Sequence, residues 1–432
     1  MTRGFTSDLA EGLAGDVVER FVRYARIDTQ SMRDRAGSPS TPGPLVLGRV
    51  LVDELGEMGL EDAGIDANGY VTATLPASGG GAGAPAAGTD GGEPPVIGLL
   101  AHVDVSPDAP GAGVEPIVHR DYDGGVIRLP RAGTVLDPLA MPELRGKEGE
   151  DLITSSGDTL LVADDKAGVA EIMGAVGYLA QHPEIRRPTL RIGFLPDEEV
   201  GMGPELFDVE GFGARCAYTL DGSSIGELQD ESFAAVEMRV RILGVEVHPG
   251  WATGKMVNAG RMAARVVAGL PGSMTPEATS GREGFIHVYE LRATAGEAEI
   301  RAIVRDFDDD LLADHVRLVR ELAEDVVGED LRASVEIEVI PQYPNMRRFI
   351  EGFPEVVEKA EAAIRAEGIE VIRRPIRGGT DGSRLSAMGL PTPNIFAGGH
   401  EFHSVREWVS VRDMAAAAAV VVRLAEEWAG ES

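Results

Sequence analysis

The apolar positions of this chain follow two periods, one helical and one of short buried runs. Residues 9–27 place Val17, Val18, Phe21, Val22 and Ala25 on one helical stripe, and the pattern predicts a second helix over 44–58. Residues 69–75 alternate as a strand does. Continuous apolar runs at 96–101, 160–163, 190–195 and 217–220 read as strands, and helical patterns such as the one ending near Gln181 alternate with them. That alternation predicts an α/β fold, a mostly parallel sheet flanked by helices.

From about residue 230 the order changes. Residues 233–247, 285–294, 298–307 and 333–340 read as strands, with helices over 258–270 and 309–327. The resulting β-α-β-β-α-β series is the split ferredoxin-like arrangement. After Pro344 a helix over 354–367, a strand over 394–397 and a helix over 411–429 return to the first pattern. The expected organisation is therefore a catalytic domain in two parts, 1–229 and 345–432, with an inserted ferredoxin-like domain over 230–344. A chain of 432 residues is long for one core, which agrees with two domains. Residues 78–93 are almost wholly Gly, Ala, Pro, Ser and Thr, cannot bury a core, and are expected to form a flexible surface insertion.

Composition narrows the function classes. A formal net charge of −31 argues against nucleic acid or an anionic membrane as partner, because phosphate would be repelled over most of the surface. No uninterrupted apolar run approaches a membrane span. The N-terminus lacks the basic-then-apolar layout of a signal peptide, so a cytoplasmic location is expected. Cys216 is the single cysteine, which excludes an internal disulfide and thiolate metal clusters.

The candidate chemistry lies where the predicted strands end. His102 and Asp104, two apart on one strand, share a face. Asp164, the pair Glu198 and Glu199, and Asp221 close the other strands, and in parallel sheets ligands bind beyond such carboxyl ends. Two zinc ions about 3.5–4 Å apart can share one bridging carboxylate and take the rest of their ligands from His nitrogens and carboxylate oxygens. His102, Asp164, Glu199, Asp221 and His403 supply such a set, with Asp104 fixing the tautomer of His102 and Glu198 left as general base. His400, three residues before His403, is a rival ligand. Asp164 and Asp165 also suit a helix N-cap. Residues 400–403 are too short for the H-E-x-x-H helix motif, and the Gly-rich loops lack the strand-to-helix context of a dinucleotide site.

Ala101-His102-Val103-Asp104, L-V-A-D-D-K-A-G-V-A-E-I at 161–172, L-P-D-E-E-V-G at 195–201, Tyr218-Thr219-Leu220-Asp221-Gly222, Val247-His248-Pro249-Gly250, Arg305-Asp306-Phe307-Asp308, R-G-G-T-D-G-S at 377–383 and the stretch 393–404 occur in one order. In these motifs the chain resembles peptidase T, the tripeptide aminopeptidase family of the di-zinc exopeptidase superfamily. The resemblance covers all but the low-complexity insertion and the extreme termini. It implies zinc-dependent removal of the N-terminal residue from tripeptides, with Asp164 bridging two zinc ions and Glu198 taking a proton from the water between them. It also implies that the inserted domain is a lid and homodimer surface, that His248 helps to stabilise the oxyanion, and that Asn258, Arg305 and Arg377 lie near the peptide carboxylate. A di-zinc carboxypeptidase or N-acyl-amino-acid hydrolase on the same scaffold is the alternative within the class. A non-catalytic metal- or peptide-binding relative is the alternative outside it, and the presence of Glu198 argues against that. Val105 stands where the family usually has threonine, and Glu401 where an amide is common.

Overall fold

The computed structural model describes residues 4–33, 37–78 and 95–430; the 78–93 insertion lies almost wholly outside the described residues. The chain divides into two compact units. The first comprises 1–230, 349–374 and 384–432, and the second 231–348 and 375–383.

The first unit is built on an eight-stranded sheet. Its centre is the parallel set Leu190–Leu195, Ile97–His102, Cys216–Gly222 and Asn394–Phe396, in that spatial order. Antiparallel neighbours such as Val71–Leu75 flank it on either side, so the predicted mixed α/β, mostly parallel sheet is present. Every residue of Ile97–His102 is buried, which explains why that strand reads as a continuous apolar run rather than an alternation. Helix Ala163–Gln181 packs against the sheet, and helices Asp8–Ala25 and Val411–Ala429 pack against that helix. Asp8–Ala25 begins where Ser7 accepts the amide of Ala10, and buries Leu13, Val17, Phe21 and Tyr24 along one face. A separate cluster of Leu100, Leu195, Ala217, Phe207, Phe212 and Leu385 carries side chains from the same strands.

The chain between the first and second motifs, together with the stretch around the last, holds elements that the periodicity did not reveal. Ile117–His119, Leu152–Thr154, Gly399–His400 and Trp408–Ser410 form a four-stranded antiparallel sheet, and Ile127–Arg128 pairs with Val135–Leu136. These strands are two or three residues long, too short to show a period.

In the second unit Ala234–Leu243, Phe285–Ala293, Glu297–Asp306 and Ser334–Tyr343 form an antiparallel sheet with helices Ala259–Gly269 and Asp309–Gly328. Met238, Val240 and Ile242 are buried in the cluster that includes Met262 and Val266 of one helix and Val319 and Ala323 of the other. Between them in sequence, Arg239 and Arg241 belong to the opposite face, where Arg241 reaches Glu297 at 2.6 Å and Arg301 reaches Glu237 at 2.7 Å. No helix among the described residues is long and apolar enough to cross a membrane.

Gly168 marks where helix and sheet meet most closely. A Cβ there would stand 2.1 Å from the carbonyl oxygen of Leu220 and 2.5 Å from Asp165 Oδ1. Gly168→Ala is expected to destabilise the protein by about 1–3 kcal/mol or more, as overpacking does. Gly12→Ala, with nothing within 4 Å on an exposed helix face, is expected to stabilise by about 0.5–1 kcal/mol. Urea unfolding of the two variants should give shifts of opposite sign.

Candidate metal centre

The register of the parallel strands places the functional side chains. His102 pairs with Leu195, so the end of one strand lies beside the turn that follows the other. That turn starts at Asp197, buried with a left-handed φ of 66°. Asp197 accepts the Ser40 amide at 2.8 Å, the Ser40 hydroxyl at 2.5 Å and the Ser38 hydroxyl at 2.8 Å, which ties the turn to the 38–40 segment. Glu198 and Glu199 follow in a single 3-10 turn.

Asp104 is fully buried and binds this arrangement together. Its carboxylate accepts the amides of Glu198 at 3.0 Å and Glu199 at 3.2 Å. His102 Nδ1 lies 3.4 Å from the same carboxylate and 3.1 Å from the Asp104 carbonyl oxygen. The backbone carbonyl is thus the nearer acceptor for the imidazole, and the side chain is shared with the Glu198 turn.

Five of the predicted ligands converge. His102 Nε2 is 2.9 Å from Asp164 Oδ1 and 3.7 Å from Asp221 Oδ1. His403 Nε2 is 2.9 Å from Glu199 Oε2 and 3.4 Å from Asp164 Oδ2. Asp164 therefore stands between the two imidazoles, one oxygen toward each. His102, Asp164 and Glu199 form one group of donors within 4.8 Å, and His102, Asp165 and Asp221 form another. Neither Glu198 nor His403 belongs to these groups, and His403 joins the centre through its contacts with Glu199 and Asp164. Asp164 and Asp165 depart from helical dihedrals at the start of Ala163–Gln181, so their backbone does not have the form of an ordinary helix start.

The rival histidine is elsewhere. His400 stacks on Trp408 with ring centroids 4.3 Å apart, and burial together with Lys147 pushes its pKa down to about 3. Asp165, read in the sequence only as a helix N-cap candidate, is fully buried; its Oδ2 accepts the His102 amide at 3.1 Å and its Oδ1 has no hydrogen-bond partner. Glu407 was passed over. Its buried carboxylate accepts the amides of Leu161 and Val162, each at 2.8 Å, and of Asp164 at 3.0 Å, clamping the left-handed turn at Val162 that presents Asp164. The only sequence signal for it is its place four residues after His403. Lys166, fully buried, donates to the Ile27 carbonyl at 2.7 Å, and burial pushes its pKa down to about 7.

The electrostatics call for cations. Burial, then Asp164, pushes Glu199 up to about 7, and burial and Asp221 hold Asp165 well above the carboxylate range. Burial opposes charge on His403, but hydrogen bonds to Asp164 and Glu199 outweigh it and carry its pKa up to about 11. Crowded carboxylates that raise one another and hold protons on nearby histidines are the signature of donors lacking a positive partner. Glu199 Oε1, buried and without a hydrogen bond, adds an orphaned donor. Nitrogen and carboxylate donors without thiolate suit divalent ions of the zinc type.

The second unit holds the other predicted residues. His248 Nδ1 accepts the Gly250 amide at 3.1 Å, and its ring lies 4.6 Å from the exposed ring of Trp251. Asn258 Oδ1 caps helix Ala259–Gly269 by accepting the Arg261 amide at 2.9 Å. Arg377 donates to the carbonyls of Gly281 and Glu283 and to the Thr279 hydroxyl, each at 2.9 Å. Arg305 Nη1 reaches the Arg377 carbonyl at 3.4 Å, while its buried Nε has no hydrogen-bond partner.

Residues 162–427 match peptidase family M20/M25/M40. Peptidase T of Geobacillus kaustophilus is 46% identical over 410 residues, 95% of this chain and 97% of that protein. Peptidase T of Bacillus subtilis is 44% identical over 418 residues, 96% and 99% of the two chains. Among solved structures, aminopeptidase PepT from Bacillus cereus superposes with a TM-score of 0.72 at 23% identity, covering 96% of this chain and 99% of that one. A tripeptidase from Staphylococcus aureus gives a TM-score of 0.74 at 19% identity over 97% and 99%.

Glu407→Ala would leave three amides, two of them buried, without their acceptor, at about 1–3 kcal/mol for each buried one. A loss of about 3 kcal/mol or more in urea unfolding is expected, with Glu407→Gln between that variant and the parent. Equal stability of all three would remove the clamp from the account of Asp164.

Proposed function

Because the chain belongs to peptidase family M20/M25/M40 and, within it, to the peptidase T group, we propose that it is a zinc-dependent tripeptide aminopeptidase. The observation that carries this reading is the convergence of His102, Asp164, Glu199, Asp221 and His403 on one another, with Glu198 next to Glu199 on the turn whose amides Asp104 accepts. Under this reading His102, Asp164 and Asp221 would hold one ion, and Asp164, Glu199 and His403 the other. When bound, the ions would supply Lewis acidity, polarising the scissile carbonyl and acidifying water.

The remaining work falls to side chains of this chain. Glu198 accepts the proton of the attacking water and delivers it to the nitrogen of the departing amine, so the broken peptide bond yields a free amino acid and a dipeptide. Its amide is fixed on Asp104, which holds the base next to Glu199 without making it a ligand. Asp104 also keeps the proton of neutral His102 on Nδ1, leaving Nε2 for the metal. His248, whose Nδ1 is already accepting from Gly250, carries its proton on Nε2 and so has a donor for the oxyanion. Of the two arginines, Arg377 has three donor contacts within its own unit, whereas Arg305 retains a buried Nε without one, which favours Arg305 as partner of a peptide carboxylate. Asn258, whose oxygen caps a helix, would join them through its amide nitrogen. The same reading makes the second unit the lid and the homodimer surface, and places the enzyme in the cytoplasm.

Hydrolysis of a free tripeptide should vanish on exhaustive chelation and return on adding zinc. Glu198→Gln should lower kcat by about 10²–10⁴-fold, the usual contribution of a general base, while zinc binding persists. Full turnover by a metal-free sample would overturn the mechanism. Faster cleavage of an N-acetylated tripeptide than of the free one would transfer the chain to the acyl-amino-acid hydrolases.

A further inference from the structure

His102 and His403 occupy matching places on either side of Asp164 but are held very differently. His102 ends a strand whose ladder fixes its backbone, and only 2% of its side chain is exposed. His403 sits on a loop with a left-handed φ of 58° and 42% of its side chain exposed. No strand ladder orients this imidazole. What does reach it is Asp108, whose Oδ2 lies 3.0 Å from His403 Nδ1. The other oxygen of the same carboxylate, Oδ1, accepts from Arg33 Nη2 at 2.7 Å.

We propose that Asp108 is a positioning residue for the second metal, fixing His403 in the tautomer and rotamer that present Nε2 beside Glu199 and Asp164, with Arg33 orienting Asp108 in turn. The inference rests on the reading of His403 as a metal ligand. Its physical basis is that a neutral imidazole has one N–H. A carboxylate at Nδ1 draws the proton there and leaves the lone pair on Nε2, the nitrogen 2.9 Å from Glu199 Oε2. Arg33 engages the oxygen that the imidazole does not use, so the carboxylate plane is fixed from both sides.

The two metal sites are consequently unequal. The site containing His102 is supported by buried backbone and by Asp104, and the site containing His403 by an exposed side-chain relay. The second should bind more weakly and should alone respond when the relay is cut.

Calorimetric titration of the metal-free full chain with zinc tests this. The parent protein is expected to bind two ions. Asp108→Ala should weaken the weaker site by about 10–100-fold, the usual effect of removing such a partner, and leave the tighter site unchanged. The melting temperature of the metal-free variant should fall by no more than a few degrees, because Asp108 is partly exposed and its loss breaks side-chain contacts but empties no core. Asp108→Asn, which can still accept from Nδ1–H through its amide oxygen, should restore much of the loss, and Arg33→Ala should give a smaller loss of the same kind. Two unchanged sites in Asp108→Ala, or equal weakening of both, would overturn the proposal while leaving the two-metal reading intact. A parent protein that binds no zinc or other divalent ion would instead remove that reading itself.

Discussion

The carboxylate of Asp104 is the interaction on which the site depends. It is buried at the end of one parallel strand and accepts two amides from the turn after the neighbouring strand, with the imidazole of His102 at its edge. Parallel pairing brings strand ends of one polarity to the same side of a sheet, but it does not fix the turns that follow them. Asp104 supplies that missing constraint. Without an acceptor there, two amides would be left to find partners at about 1–3 kcal/mol each, and Glu198 and Glu199 would lose their common reference.

The crowding that makes the centre useful also makes it costly to fold without cations. Asp164, Asp165, Glu199 and Asp221 converge on two imidazoles, and burial removes the water that would screen them. The opposing shifts in this cluster, Glu199 and Asp165 upward and Asp164 downward between the two histidines, are one balance seen from different groups. Divalent ions would relieve the repulsion and release the histidine protons together, so metal binding and stability of this region are linked quantities.

Much of this was legible in the chain because strand ends are legible. The runs ending at Ala101, Leu195 and Leu220 pointed to His102, Glu199 and Asp221, and the alternation after residue 230 outlined a four-stranded sheet with two helices. Asp108, Asp165, Asp197 and Glu407 were not legible, since each acts by accepting from groups brought near only by folding. Glu407 illustrates the limit: its partners at 161–164 are more than two hundred residues away in sequence. Arg377 illustrates another. An arginine in a promising motif looks like a free cation, and only the fold shows that three acceptors already surround its guanidinium. The short strands between 117 and 154 escaped because two or three residues cannot display a period.

The loops around the centre share one further principle. Val162, Asp197, Glu401 and His403 all have positive φ without being glycine, a conformation that costs of order 1–3 kcal/mol at each such residue. Three of these four are next to a carboxylate contact that holds the turn: Glu407 on the amide of Val162, Asp197 on Ser40, and Asp108 on the ring of His403. A ligand carried by a strand is positioned by the backbone ladder, whereas a ligand carried by a strained turn needs a side chain to hold the turn in place. Acids serve that purpose well because one carboxylate can accept several N–H groups at once, as Glu407 and Asp104 both do. The acidic residues at this centre thus divide into those that face one another and the imidazoles and those that face the backbone, and the second group determines where the first can stand.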